Sequence, residues 1–233
     1  MRLTSQLPRL HLITDTRLDS NPIQTAEAAL DAGVRLIQVR TEDHFTDRAE
    51  FDLARCLMEM CRQSGAWCLI NDSVHIAQAV GADGVHLGDD DLPVDAARRI
   101  LDPTLTIGAT CRGPQSARAA RRAGADYLGV GPVNATTTKI SLSETLGTDG
   151  LKAVCTAVEL PVVAVGGIDA ASAASCRAAG AHGVAVVSAV SRARDVRSAT
   201  SELLDAVGET FSVPPQPPST ADTGHAASSS RRS

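Results

Sequence analysis

Residues 81–88 read GADGVHLG, and this stretch decides the fold because its pattern returns as GADYLGVG at 124–131 and GAHGVAVV at 180–187. In each copy a glycine follows a segment with a helical pattern, where a left-handed C-terminal cap is favoured. A small residue then precedes an apolar strand. The spacing of the copies is too uneven for a solenoid, but it suits successive β/α units of one barrel.

Short apolar strands alternate with helical segments along the rest of the chain. The predicted strands are residues 10–14, 36–40, 67–71, 84–87, 105–109, 127–130, 162–165 and 184–187. The predicted helices are residues 25–32, 46–64, 74–80, 93–101, 114–123, 150–158, 170–179 and 196–207. Continuous apolar strands between helices indicate a parallel sheet that is covered on both faces. Eight such units in roughly 200 residues predict an α/β fold, a closed (β/α)8 TIM barrel rather than an open doubly wound sheet.

The predicted barrel domain occupies residues 1–210. Residues 211–233 are rich in proline and serine and lack periodic apolar residues, so they are predicted to form a disordered tail. The sequence leaves the oligomeric state open.

Composition excludes several functional classes. A net charge of −5 and an aromatic content of 2% argue against binding to nucleic acid or to an anionic membrane. The six cysteines show neither a CxxC pair nor zinc spacing, which is typical of reduced, buried thiols. With no leader-like segment and no apolar run of membrane length, we expect a cytoplasmic protein that acts on small molecules.

Polar residues collect where the predicted strands end. In a parallel barrel these carboxyl ends form one face, here called the mouth, and the loops of that face carry the chemistry. Gln38 and Arg40 are two apart on the second strand and therefore point to the same side. A cation there needs an anion, either a structural carboxylate or a ligand phosphate, and the ligand is the favoured interpretation.

Carboxylates follow the third and fourth strands. Asn71 and Asp72 end the third, and Asp91 lies shortly after the fourth. The alternative is helix capping, by Asp72 or Ser73 before the helix at 74–80 and by Asp91 before Leu92-Pro93. Together the two aspartates would repel each other unless a cation lies between them, and oxygen ligands without histidine or cysteine suit Mg²⁺. Thr110 adds a hydroxyl at the end of the fifth strand.

Three further loops suit phosphate groups. Residues 129–139 read GVGPVNATTTK and offer Thr136, Thr138 and Lys139 as donors, although an ordinary threonine-rich surface loop is the alternative. Gly166-Gly167 and Val187-Ser188 end the seventh and eighth strands immediately before helical sequence, where such barrels often hold a phosphate. A plain tight turn is the alternative for the glycines.

At these residues the chain resembles the thiamine-phosphate synthase family, from about residue 10 to residue 207. The motifs that carry the resemblance are QVR (38–40), INDSVHIAQAVGADGVHLG (70–88), DDLP (90–93), YLGVGP (127–132), TTTK (136–139), PVVAVGGI (161–168) and GVAVVSAV (183–190). The resemblance implies a transferase that joins a pyrimidine diphosphate to a thiazole phosphate, with Mg²⁺ as the cofactor.

The resemblance also implies roles for single residues. Asp72 and Asp91 match the Mg²⁺ ligands, and the residues that match pyrimidine-diphosphate contacts are Gln38, Arg40, Asn71 and Lys139. Thr110 takes the place of a serine. The residues that match positions near the thiazole phosphate are Thr136, Thr138, Gly167 and Ser188, and Val187 beside the last is also predicted to bind substrate. Arg40, Thr110 and Lys139 are predicted to be catalytic.

One departure from the family bears on function. The family pattern is QxRxK, whereas this chain has Glu42 at the lysine position. We therefore expect either weaker affinity for the diphosphate or a different loop arrangement. Two alternatives stay open. One is a thiazole tautomerase, for which His86 is the obvious acid or base, although we interpret His86 as a packed core residue. The other is a thiamine-phosphate-binding barrel without activity, which Glu42 alone favours.

Overall fold

The computed structural model describes residues 7–136 and 144–209. Eight parallel strands pair in chain order and β8 pairs with β1, so the sheet closes into a barrel. The strands are β1 (Leu10–Ile13), β2 (Leu36–Val39), β3 (Trp67–Asn71), β4 (Gly84–Leu87), β5 (Thr106–Cys111), β6 (Tyr127–Val130), β7 (Val162–Val165) and β8 (Gly183–Val186). The predicted (β/α)8 TIM barrel is confirmed.

Helices alternate with these strands and cover the outside of the barrel. Those in the described residues are α1 (Pro22–Asp31), α2 (Asp47–Ser64), α3 (Val74–Val80), α4 (Val94–Ile100), α5 (Pro114–Ala123), α6 (Gly147–Ala157), α7 (Ala170–Ala178), α8 (Ser188–Ser191) and α9 (Val196–Val207). None of the helices within 7–136 and 144–209 combines the length and the apolar character that crossing a membrane requires.

The repeated glycine pattern forms the same helix end three times. Gly81, Gly124 and Gly180 take φ values of 68°, 100° and 102°, in the left-handed region. The next residue then donates its backbone N–H to a carbonyl five residues earlier, as Ala82 does to the carbonyl of Ala77. The other two copies make the equivalent bond, which defines a Schellman motif. The repeat therefore ends three helices identically and returns the chain to the sheet.

The strands bury both faces. Apolar side chains on the outer face pack against the helices in the main hydrophobic core. On the inner face a smaller cluster fills the lower part of the barrel and consists of Leu7, Ile13, Leu36, Leu69, Tyr127, Val163 and Ala185. The barrel interior is thus a packed core, and part of this cluster faces the cavity at the mouth.

Some predicted boundaries differ from the structure. The fifth strand runs from Thr106 to Cys111, so Thr110 lies inside the strand rather than after it. Helix α1 begins three residues earlier than predicted, because the side chain of Asn21 accepts a hydrogen bond from the backbone N–H of Gln24 and Pro22 occupies the first turn. The predicted tail at 211–233 lies outside the described residues, so the predicted division of the chain stays a prediction.

Candidate active site at the barrel mouth

A cavity of about 300 Å³ opens at the mouth of the barrel. Its wall contains every predicted site residue that the structure describes: Gln38, Arg40, Asn71, Asp72, Asp91, Thr110, Thr136, Gly167, Val187 and Ser188. Thr138 and Lys139 lie outside the described residues. The fold thus gathers side chains from seven strand ends into one cavity, and their roles toward a substrate stay predictions.

The wall formed by β2 and β3 carries a hydrogen-bonded amide pair. The Nε2 atom of Gln38 donates to the Oδ1 atom of Asn71 at 2.7 Å. Gln38 is buried, and both residues line the cavity. Because each amide restricts the other, the two side chains are held at the mouth before any ligand binds.

Arg40 is paired with the residue that departs from the family pattern. Its Nη1 atom lies 2.8 Å from Oε1 of Glu42, and Nη2 lies 3.5 Å from Oε2. The side chains are 21% and 25% exposed, so the pair is partly shielded from water. The sequence interpretation favoured a ligand phosphate over a structural carboxylate as the anion that balances Arg40. In this structure Glu42 is that anion.

The carboxylates of Asp72 and Asp91 both line the cavity, and neither caps a helix. Ser73, the other cap candidate for α3, is its N-cap, and Pro93 is the N-cap of α4, so the helix-cap alternative is wrong for both aspartates. The Oδ2 atom of Asp91 instead accepts a hydrogen bond from the backbone N–H of Gly88 at 2.7 Å. A Cβ atom at residue 88 would lie 2.8 Å from that oxygen, so glycine there leaves room for the contact.

The backbone at Asp72 has an unusual conformation that hydrogen bonds hold in place. Asp72 has a φ of 63°, in the left-handed region that residues other than glycine seldom adopt. Its N–H donates to the carbonyl of His86 at 2.8 Å. The hydroxyl of Ser73 donates to Glu50 at 3.0 Å, and burial raises the pKa of Glu50. These contacts fix the turn that brings Asp72 to the mouth.

These two carboxylates fit Mg²⁺ by their chemistry. They supply oxygen ligands only, and no group of three or more His, Cys, Asp or Glu side chains suited to a metal occurs in the described parts of the chain. A site with few protein ligands suits Mg²⁺, which keeps bound water and binds substrate phosphates, better than Zn²⁺. Asp72 and Asp91 are therefore the residues that could hold it.

A hydrogen-bonded group of three side chains from β4, β5 and β6 lies on the floor of the cavity. His86 contacts the Tyr127 hydroxyl through Nδ1 at 2.9 Å and the Thr110 hydroxyl through Nε2 at 3.1 Å. Gly108 and Gly129 make room for these rings, because a Cβ atom would lie 2.2 Å from Cζ of Tyr127 at the first and 2.7 Å from Cε1 of His86 at the second. The network thus orients the hydroxyl of Thr110 at the cavity wall.

The sequence interpretation of this network was incomplete. His86 was interpreted as a packed core residue, whereas the structure places it half-buried on the cavity wall. Tyr127 was assigned only to an apolar strand, although its hydroxyl is the partner of His86, and burial raises the pKa of that hydroxyl. The signal in the sequence was the pair of glycines on strands β5 and β6, which leave space for large side chains.

The opposite wall is built by the loops after β6, β7 and β8. The backbone N–H of Asn134 donates to the carbonyl of Gly166, and its side-chain nitrogen donates to the carbonyl of Gly167, both at 3.0 Å. Gly167 has a φ of 62°, and a Cβ atom there would lie 2.3 Å from the carbonyl oxygen of Ala135. Only glycine therefore allows the β6 loop to pack here and to place Thr136 on the cavity wall.

The two helices behind this wall differ. Asp169 caps α7, since its carboxylate accepts a hydrogen bond from the backbone N–H of Ser172 at 2.8 Å. The predicted attraction of a phosphate to this helix end thus competes with an internal carboxylate. The short helix α8 begins at Ser188 with Val187 as its N-cap and has no side-chain cap, and both residues line the cavity.

Comparisons with known proteins agree with this arrangement. A family described as thiamine monophosphate synthase matches residues 10–190. The thiamine-phosphate synthase of Salinispora arenicola is 49% identical over 205 residues, which cover 87% of this chain and 99% of that protein. The corresponding enzyme of Chloroflexus aurantiacus is 44% identical over 204 residues, covering 87% of this chain and 94% of its own.

A solved structure shows the same likeness in three dimensions. The thiamine phosphate pyrophosphorylase from Pyrococcus furiosus superposes with a TM-score of 0.79 at 38% sequence identity, and the match covers 86% of this chain and 96% of that one. The family match and the structural match thus each cover most of the chain. The chain belongs to the thiamine monophosphate synthase family and is a transferase of thiamine biosynthesis.

Proposed function

We propose that the protein joins 4-amino-2-methyl-5-hydroxymethylpyrimidine diphosphate to 4-methyl-5-(2-phosphoethyl)thiazole, giving thiamine phosphate and pyrophosphate. The observation that carries the proposal is that one cavity has two different walls. One wall has a cation, two amides and two carboxylates, and the other has glycine turns and hydroxyls. The first suits a diphosphate with Mg²⁺, and the second suits a monophosphate.

On the diphosphate wall, Arg40 neutralises the phosphate oxygens, and the amides of Gln38 and Asn71 position the pyrimidine end. Lys139 has the same predicted role as Arg40. Asp72 and Asp91 would hold Mg²⁺, which would supply positive charge beside the diphosphate leaving group. These residues act on the leaving group, which is where negative charge develops in the transition state.

On the monophosphate wall, the donors are the hydroxyls of Thr136 and Ser188 and the backbone around Gly167 and Val187. Thr138, outside the described residues, has the same predicted role as Thr136. These donors hold the phosphate of the thiazole, so the thiazole nitrogen faces the pyrimidine methylene. Holding both substrates in one cavity turns a bimolecular reaction into an effectively unimolecular one.

The bond changes need no general base. The C–O bond between the pyrimidine methylene and the diphosphate breaks, and its electron pair leaves with pyrophosphate. The methylene cation is stabilised by the electron-rich aminopyrimidine, and the lone pair of the thiazole nitrogen then forms the new C–N bond. The product is a thiazolium cation, so no proton has to be removed. The contacts of His86 agree with a positioning role, because both of its ring nitrogens already contact hydroxyls.

The test is the release of pyrophosphate by the purified protein. We expect release only when both substrates and Mg²⁺ are present, and we expect excess EDTA to stop it. Asp72→Ala should abolish release, whereas Asp90→Ala, at an exposed position that does not line the cavity, should retain it. Release of pyrophosphate without the thiazole phosphate would indicate hydrolysis and would overturn the proposal.

A further inference from the structure

The three residues after β1 lie between the two walls of the cavity. Thr14 contacts the diphosphate wall, because its hydroxyl donates to the carbonyl of Arg40 at 2.7 Å and accepts from the N–H of Arg40 at 2.8 Å. Thr16 accepts from the N–H of Glu42 at 3.0 Å. Residues 14 and 16 therefore fix the backbone on which Arg40 is carried.

Asp15, between these threonines, contacts the other wall. Its carboxylate accepts hydrogen bonds from Arg17 through Nε at 2.7 Å and Nη2 at 2.6 Å, and from the hydroxyl of Ser191 at 2.8 Å. The Nε atom of Arg192 lies 3.4 Å away. The side chain of Asp15 is only 2% exposed. Burial alone would raise the pKa of Asp15, but the bonds from Arg17 and Ser191 hold it well below its usual range.

The contact with Ser191 reaches the cavity through α8. The backbone N–H of Ser191 donates to the carbonyl of Val187 at 2.9 Å, which closes the single turn of this helix. Val187 and Ser188 at the start of the same turn line the cavity. A single helical turn has few hydrogen bonds of its own. The Asp15 carboxylate, which holds Ser191 at the end of the turn, therefore also sets the position of Val187 and Ser188 at its start.

We propose that residues 14–16 position the two walls of the cavity separately. Asp15 is a positioning residue for the monophosphate wall, and Thr14 and Thr16 are positioning residues for the diphosphate wall. The proposal rests on the proposed function for the identity of the two ligands. None of the three residues needs to touch a substrate. Each acts through the backbone or the short helix that carries a binding residue. Substitution of one positioning residue therefore weakens the binding of one substrate only.

The test compares two variants by the affinity for each substrate. Asp15→Asn keeps the size of the side chain but removes the charge that orders Ser191 and the arginines. We expect it to raise the Kd and the KM of the thiazole phosphate about tenfold and to leave those of the pyrimidine diphosphate within about twofold. Thr14→Val should give the opposite pattern, with a similar rise for the diphosphate alone. Isothermal titration gives the Kd values without turnover.

Asp19→Asn is the matched control. Asp19 also pairs with Arg192, through Oδ2 at 2.5 Å and Oδ1 at 2.8 Å, but its side chain is 67% exposed. The control removes the same charge from the same loop, and we expect both substrate affinities to stay within about twofold. If Asp15→Asn does not fold, Ser191→Ala removes only the bond to the helix and should give the same selective loss, about fivefold.

The outcomes separate this inference from the proposed function. Equal losses for both substrates in the Asp15 and Thr14 variants would overturn the inference while turnover by the unaltered protein still supports the function. If each variant loses affinity for one substrate only but the unaltered protein never forms product, the proposed function is overturned and the positioning roles are supported. An unaltered protein that binds neither substrate would overturn both.

Discussion

Glu42 provides the sharpest prediction, because this residue pairs with the arginine that is proposed to bind the diphosphate. The carboxylate of Glu42 lies 2.8 Å from the guanidinium of Arg40, so it would compete with phosphate oxygens for this cation. Glu42→Gln removes the charge and keeps the size of the side chain. The backbone should stay in place, since the N–H of Glu42 is held by the hydroxyl of Thr16.

The size of the effect follows from the exposure of the pair. Exposed ion pairs contribute up to about 1 kcal/mol, and this pair, with side chains 21% and 25% exposed, lies near the upper end of that range. Because about 1.4 kcal/mol corresponds to tenfold in affinity, loss of the competing carboxylate should tighten diphosphate binding about fivefold. The affinity for the thiazole phosphate should not change.

The assay is isothermal titration of Mg²⁺-pyrophosphate, together with the KM of the pyrimidine diphosphate. Asp43→Asn is the control, because it removes the same charge from the next residue of the loop, and Asp43 lines the cavity as Arg40 does. We expect its effect to stay below about twofold. An unchanged or higher KM in Glu42→Gln would refute the reasoning and would show that Glu42 orients Arg40 for the ligand.

Two further predictions concern stability. Burial lowers the pKa of His11 from its ordinary value of 6.5 to about 3. At a pH between these two values, the imidazole is protonated in the unfolded chain but not in the folded protein. The free energy of unfolding should therefore fall by about 1.4 kcal/mol per pH unit as the pH drops below 6.5. In urea unfolding between pH 7 and 5, His11→Gln should remove this pH dependence. The same pH dependence in the variant and the unaltered protein would contradict the prediction. Gly129→Ala places a Cβ atom 2.7 Å from Cε1 of His86 and should cost about 1–3 kcal/mol in the same assay. Gly113→Ala, whose Cβ has no neighbouring atom within 4 Å, should lower the free energy of unfolding by less. Equal decreases in the two variants would contradict the prediction and would show that the barrel interior adapts to the added methyl group.

The sequence could predict the barrel because its signals are local. Apolar runs, glycine caps and helical periods each depend on a few neighbouring residues, and the structure reproduces their order. The fifth strand shows the limit of this reasoning. Leu105 belongs to a turn in which its N–H donates to the carbonyl of Asp102, and the strand continues to Cys111 because β6 pairs with it. That pairing is a tertiary contact, which no local pattern contains.

The candidate site could be predicted in its composition but not in its contacts. Because the carboxyl ends of parallel strands meet at one face, the residue order alone placed Arg40 and Asp72 at one mouth. The partner of Arg40 could not be deduced, since Glu42 could have turned to solvent. Asp15 was missed because its partner Ser191 is 176 residues away along the chain.

The most direct test of the central claim measures both products in one reaction. The purified protein is supplied with the pyrimidine diphosphate, the thiazole phosphate and Mg²⁺, and thiamine phosphate and pyrophosphate are quantified together by mass spectrometry and a coupled pyrophosphate assay. We predict that the two products appear in equal amounts and that neither appears when one substrate is omitted. Pyrophosphate without thiamine phosphate, or an isomerised thiazole without either product, would contradict the account.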